Sequence, residues 1–64
     1  GRERARLEAE LDRVEGLLTG TEKRLENDQF TSKAPADVVQ REREKAESLR
    51  DQRERLGRKL AALT

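Results

Sequence analysis

Phe30-Thr31-Ser32-Lys33-Ala34-Pro35-Ala36-Asp37-Val38-Val39 decides how this chain folds, and it holds the only Phe and the only Pro in the sequence. Pro35 has no backbone N–H to donate, and its ring pushes Ala34 away from helical geometry. A helix cannot run through this stretch. One can begin on it, because proline suits the first helical position. Asp37 then falls in the first turn, where its carboxylate meets unpaired N–H groups and the positive end of the helix dipole. Ala34 is a poor N-cap, so the start is imperfect. Phe30, Val38 and Val39 supply a small apolar plug over Leu25. Outward from here the reading is a helix from about residue 3 to 27, a turn over about 28–34 and a second helix from about 35 to 63. Asn27 suits a left-handed helix C-terminus.

Both flanks carry a heptad pattern. The first reads Leu7, Leu11, Val14, Leu18, Thr21, Leu25; the second reads Val39, Glu42, Ala46, Leu49, Arg53, Leu56, Leu60, Leu63. Steps of three and four put each set on one helical stripe. Gly16 and Gly20 lie off the first stripe. Each costs roughly 1 kcal/mol against Ala in a helix, which leaves open a break in helix 1 near them. A short connection makes two such helices antiparallel neighbours. The expected fold is therefore all-α, a two-helix antiparallel coiled-coil hairpin forming a single unit over residues 1–64.

Setting Leu18 against Leu49 also sets Leu11 against Leu56, Leu7 against Leu60 and Thr21 against Ala46. Glu15 then faces Arg50, Glu22 faces Arg43 and Glu10 faces Lys59, each exposed pair contributing ~0.2–1 kcal/mol. The misfits in this register are Arg53 opposite Val14, Glu42 opposite Leu25, and Arg24 beside Lys45. Arg53 can lay its stem on the seam with its head in water, and polar seam residues more often fix register than bind a ligand.

Composition narrows the function. The chain has 64 residues, formal charge +1, 45% charged and 31% hydrophobic residues, and neither Cys, His, Trp nor Tyr. That excludes a sizeable globular core, a disulfide framework and a thiolate metal site. It also removes the commonest metal ligand and general base. No apolar run approaches membrane-spanning length. Glu8, Glu15 and Glu22 repeat at surface spacing and read as a solvated flank. Thr31 and Ser32 have no base to activate them and read as turn-capping residues. No catalytic site, metal site or cofactor site is expected. The plain ends suit a piece of a larger protein, with Gly1 a cloning remnant.

The charges are sorted by side. Arg6, Arg13, Arg24, Arg41, Lys45, Arg55 and Lys59 share one side with only Glu3 and Glu10. Glu8, Asp12, Glu15, Glu22, Glu26, Glu47 and Glu54 share the other with Arg43 and Arg50. The basic side is where phosphates would gather. The Arg24/Lys45 juxtaposition on it favours a nearby anion. Arg13, Arg24, Arg41 and Lys45 are the candidate phosphate contacts, and Leu17, off the seam on the same side, is a candidate for packing on a base. Aromatic interleaving for unstacked single strands is absent, so a folded RNA read by shape and backbone is the expected ligand.

The pattern Leu25-x-Asn27-x-x-Phe30-x-x-Lys33-Ala34-Pro35-x-x-Val38-Val39-x-x-Glu42-x-x-Lys45, set between two charged helices, resembles the C-terminal coiled-coil arm of valyl-tRNA synthetases. The resemblance extends over essentially the whole chain, and the Lys-Ala-Pro-x-x-Val-Val turn is its specific part. It implies an appendage that touches the outer corner of tRNA, where the D and T loops meet, and supports charging by a cytoplasmic parent that joins valine to tRNA with ATP. The His-x-Gly-His-like and Lys-Met-Ser-Lys-Ser-like signatures of that parent are not in this chain, so no catalytic residue carries over. Its partners would be tRNA and the rest of the synthetase, with no membrane, and weak self-association of the isolated hairpin remains open. The rival reading is a protein-interaction or spacer hairpin, such as the charged C-terminal hairpin of ribosome-acting ATP-binding-cassette proteins.

Overall fold

The computed structural model describes residues 1–63, and among them the chain is all-α: α1 (Arg2–Glu26), α2 (Asp28–Lys33) and α3 (Ala36–Ala62). Two long helices were expected, joined by a turn over about 28–34. The correction is that this turn is mostly a third, short helix.

Asn27 explains it. Its N–H donates to the Arg24 carbonyl at 3.2 Å and closes α1. Its side-chain Oδ1 accepts from the Gln29 N–H at 2.9 Å and opens α2. One residue thus ends one helix and caps the next, in extended geometry (φ −79°, ψ 111°) rather than the left-handed conformation expected. Thr31 and Ser32 do not cap. Their hydroxyls donate back to the carbonyls of Asn27 and Asp28 within α2, an arrangement typical of these side chains inside helices. Ala34 ends α2 with ψ 148°, the extended geometry that a following proline imposes. Pro35 is the N-cap of α3 and not its first residue, at φ −56° and ψ 148°. Its carbonyl accepts from the N–H groups of Val38 (3.0 Å) and Val39 (3.1 Å).

α1 runs unbroken through Gly16 and Gly20. The expected stripe is what it buries. Leu7, Val14 and Leu18 join Ala46, Leu49 and Leu56 of α3 in one core, with Leu11, Leu25 and Leu60 packed partly against it. Val14, Leu18 and Ala46 are each only 1% exposed. Thr21 is buried in line with them, its hydroxyl satisfied by the Leu17 carbonyl at 2.9 Å. At the tip Val39 is buried, with Phe30 and Leu25 half-buried, while Val38 stays outside the plug. Leu63 lies 44% exposed, so the seam ends at Leu60. Arg53 is exposed as well. The body measures 46 × 14 × 13 Å, a rod in which each long helix buries one stripe and solvates the rest.

Two ion pairs cross between α1 and α3: Arg24–Glu42 at 3.2 Å and Glu22–Arg50 at 3.0 Å. Numbers rise along α1 as they fall along α3. The cross-pairs differ from those expected. Arg50 meets Glu22 instead of Glu15, and among the described residues Arg43 has no carboxylate within ion-pair reach, while Glu10 and Lys59 line one groove without forming an ion pair. Side-chain tilt accounts for the first two. Helical side chains lean toward their own N-terminus. In an antiparallel pair, Arg50 leans toward the tip and Glu22 leans away from it, so the two converge. Glu15 and Arg50 lean apart, and so do Glu22 and Arg43.

Candidate nucleic-acid interface

The seam rotates the off-seam residues into two sides, and the basic side is built from α1 and α3 together. Arg13 and Leu17 stand on α1 one turn apart. Arg41 and Lys45 stand one turn apart on α3, nearer the tip. All four are exposed. Leu17, at 43%, is one of the exposed large apolar side chains. It is not in the core because it falls off the stripe that Val14, Leu18 and Thr21 define.

Most cations of this side have no carboxylate close by. Among the described residues, no carboxylate lies within ion-pair distance of Arg6, Arg13, Arg41, Lys45 or Lys59. On the same side Arg55 is held by Asp51 one turn back, at 3.0 Å. Elsewhere, Arg4 pairs with Glu8, and Arg58 with Glu54. Most of the basic side is thus uncompensated at close range, which raises the local potential for an incoming polyanion.

Arg24 is the exception among the candidate contacts: the expectation that it stands unpaired beside Lys45 is corrected, because it is paired with Glu42. Its guanidinium Nη1 donates to Glu42 Oε1 at 3.2 Å, and its Cζ lies 6.0 Å from the Phe30 ring centroid. The Glu42 side chain is only 16% exposed, and its second oxygen is buried with no hydrogen-bond partner among the described residues. An arginine fork carries five N–H donors, so several remain for another acceptor. Glu42 and Phe30 are therefore part of this surface. The sequence marked Glu42 as a misfit opposite Leu25 and Phe30 as a plug. It gave no sign that both hold Arg24.

Between the helices farther from the tip, Arg13, Arg55 and Lys59 rim a groove of about 190 Å³ with Glu10 and Gln52, and Val14 and Leu56 form its floor. Among the described residues there is no group of three or more His, Cys, Asp or Glu placed to hold a metal ion, and no helix is long and apolar enough to cross a membrane.

Comparison with known proteins agrees with a binding role. The family model described as "Valyl tRNA synthetase tRNA binding arm" matches residues 1–64. The chain is 48% identical over 54 residues to a valine–tRNA ligase of Nitratidesulfovibrio vulgaris, covering 84% of this chain and 6% of that protein. It is 47% identical over 49 residues to one from Chlorobaculum tepidum, covering 77% and 5%. A third, from Rhodopirellula baltica, is 41% identical over 61 residues, covering 95% and 6%. The chain thus spans only 5–6% of the length of these relatives. No solved structure matches it.

Proposed function

Because this chain belongs to the tRNA-binding-arm family of valyl-tRNA synthetases, we propose that its basic side is the surface that meets tRNA. Arg13, Arg41 and Lys45 contact phosphates, Arg24 is steadied for the same task by Glu42 and Phe30, and Leu17 packs on an exposed base or sugar. The arm is a coiled-coil rod that reaches the outer corner of the tRNA, at the D and T loops, and helps hold it for aminoacylation. The chain itself is non-catalytic. Joining valine to tRNA with ATP belongs to the remainder of a parent synthetase in the cytoplasm, whose other domains are its second partner. Weak self-association of the isolated arm would use the exposed Leu17 and Leu63, and sedimentation over a concentration series reads it.

The observation that carries this reading is a family of tRNA-binding arms combined with a side on which, among the described residues, Arg6, Arg13, Arg41, Lys45 and Lys59 have no carboxylate within ion-pair distance. Phosphate contacts make affinity fall with salt, by a slope of roughly 0.7–0.9 for each phosphate neutralised. The test is the affinity of the 64-residue chain for a valine-accepting tRNA transcript between about 50 and 200 mM salt, beside a variant with Arg13, Arg41 and Lys45 changed to Gln. Among the described residues these exposed side chains form no ion pair or side-chain hydrogen bond, so the variant should keep its helicity by circular dichroism. The reading expects weaker binding and a shallower slope in the variant. Equal binding by both proteins moves the contact elsewhere. Binding to a protein partner with no response to RNA would favour a spacer.

A further inference from the structure

The structure points to a second phosphate seat, which we propose lies in the groove between α1 and α3 rimmed by Arg13, Arg55 and Lys59 and takes a phosphodiester of the RNA backbone. This inference rests on the RNA-binding reading above and extends it toward the open end of the rod, beyond the contacts at Arg41 and Lys45. Three features of the groove fit an anion of this kind. Its rim carries three cations against one carboxylate, Glu10; Arg55 is paired with Asp51 behind it at 3.0 Å, and among the described residues neither Arg13 nor Lys59 has a carboxylate within ion-pair distance. Its floor is apolar, with Val14 only 1% exposed and Leu56 9% exposed, and a low-dielectric floor strengthens the field of the charges above it. Its volume is about 190 Å³, room for several waters at ~30 Å³ each, which a phosphate group would displace.

The geometry also sets the reach. Arg13 and Arg24 are separated by eleven positions of one helix, or roughly 16 Å at 1.5 Å per residue. An RNA lying along the basic side would be held at two places on the rod, one near the tip and one in this groove. Among the described residues, the side chain of Gln52 on the same rim donates a 3.4 Å hydrogen bond to Ser48 and makes no other. Its amide is placed to bond the ribose beside the bound phosphate.

The test changes Arg55 and Lys59 to Gln and measures affinity for the tRNA transcript across the same salt series. A control variant with Arg43 and Arg58 changed to Gln removes the same net charge away from the groove. Both pairs are exposed, and circular dichroism checks that both variants fold. The expected result is several-fold weaker binding for Arg55→Gln/Lys59→Gln and a salt slope lower by about one to two, with a clearly smaller change in the control. If the groove variant keeps the wild-type slope, or if the control loses as much, the groove is not a phosphate seat while RNA binding stands. If the unaltered chain shows no salt-dependent binding, the RNA reading fails and this seat fails with it.

Discussion

Changing Gly16 and Gly20 together to Ala should stabilise the fold by about 1.5–2 kcal/mol. Both lie inside α1 with ordinary helical backbone, since no described glycine has positive φ. A Cβ built at either position meets nothing within 4 Å, so no clash or displaced neighbour offsets the gain. Each glycine costs roughly 0.8–1 kcal/mol against Ala in a helix interior, largely through the freedom it gives the unfolded chain. The two sites lie one turn apart, with Cβ positions about 5–6 Å from each other, so full additivity is the upper end of the expected gain. Thermal and urea melts followed by circular dichroism at 222 nm read the effect. For a domain near this size 1 kcal/mol moves Tm by roughly 4–8 °C, so the double variant should melt about 6–16 °C higher. An unchanged or lower midpoint would mean that α1 is not helical through residues 16–20, and the continuous seam would have to be redrawn.

Further substitutions test the core and the tip. Leu18→Ala removes one of the most buried side chains and should cost ~2–5 kcal/mol, enough to unfold a scaffold this small. Leu63→Ala, at an exposed position, should change stability by less than about 0.5 kcal/mol; equal effects in urea melts would refute the seam assignment. Arg24→Ala leaves the mostly buried Glu42 carboxylate without its partner and should cost ~1–3 kcal/mol. Glu42→Leu, which replaces that carboxylate with an apolar group of similar size, should be neutral or stabilising; a large loss for Glu42→Leu would show that the pair is a net source of stability. Asn27→Ala removes the side-chain cap of α2 and should cost about 1 kcal/mol, with the amide protection of Gln29–Lys33 falling first in hydrogen exchange.

The seam was legible because its apolar residues recur at steps of three and four; burial follows them from Leu7 to Leu25 and from Val39 to Leu60, and fails at Arg53 and Leu63, which are exposed. Pro35 marked the boundary before α3 for reasons that any sequence shows. The helix over Asp28–Lys33 was not legible. Its residues carry no apolar periodicity, and it stands on one Asn27 cap and on hydroxyls bonding backward to carbonyls. The flank pairing was misread because heptad positions were matched straight across, whereas the side chains lean toward their own helix N-termini and bring Arg50 to Glu22. The two charged sides followed directly from the heptads. Which cations are free and which are held did not, because Arg24–Glu42 depends on a seam carboxylate lying beside a guanidinium, a matter of distance rather than of spacing.

The central claim is that the side bearing Arg13, Leu17, Arg24, Arg41 and Lys45 is the RNA surface. Its most direct test is a heteronuclear NMR titration of the ¹⁵N-labelled chain with a valine-accepting tRNA. The account predicts that amide and arginine side-chain signals shift or broaden at those residues, and at Arg55 and Lys59, while Glu8, Glu15 and Glu47 on the opposite side stay in place. Perturbation centred on the acidic side, or spread evenly around the rod, would contradict it.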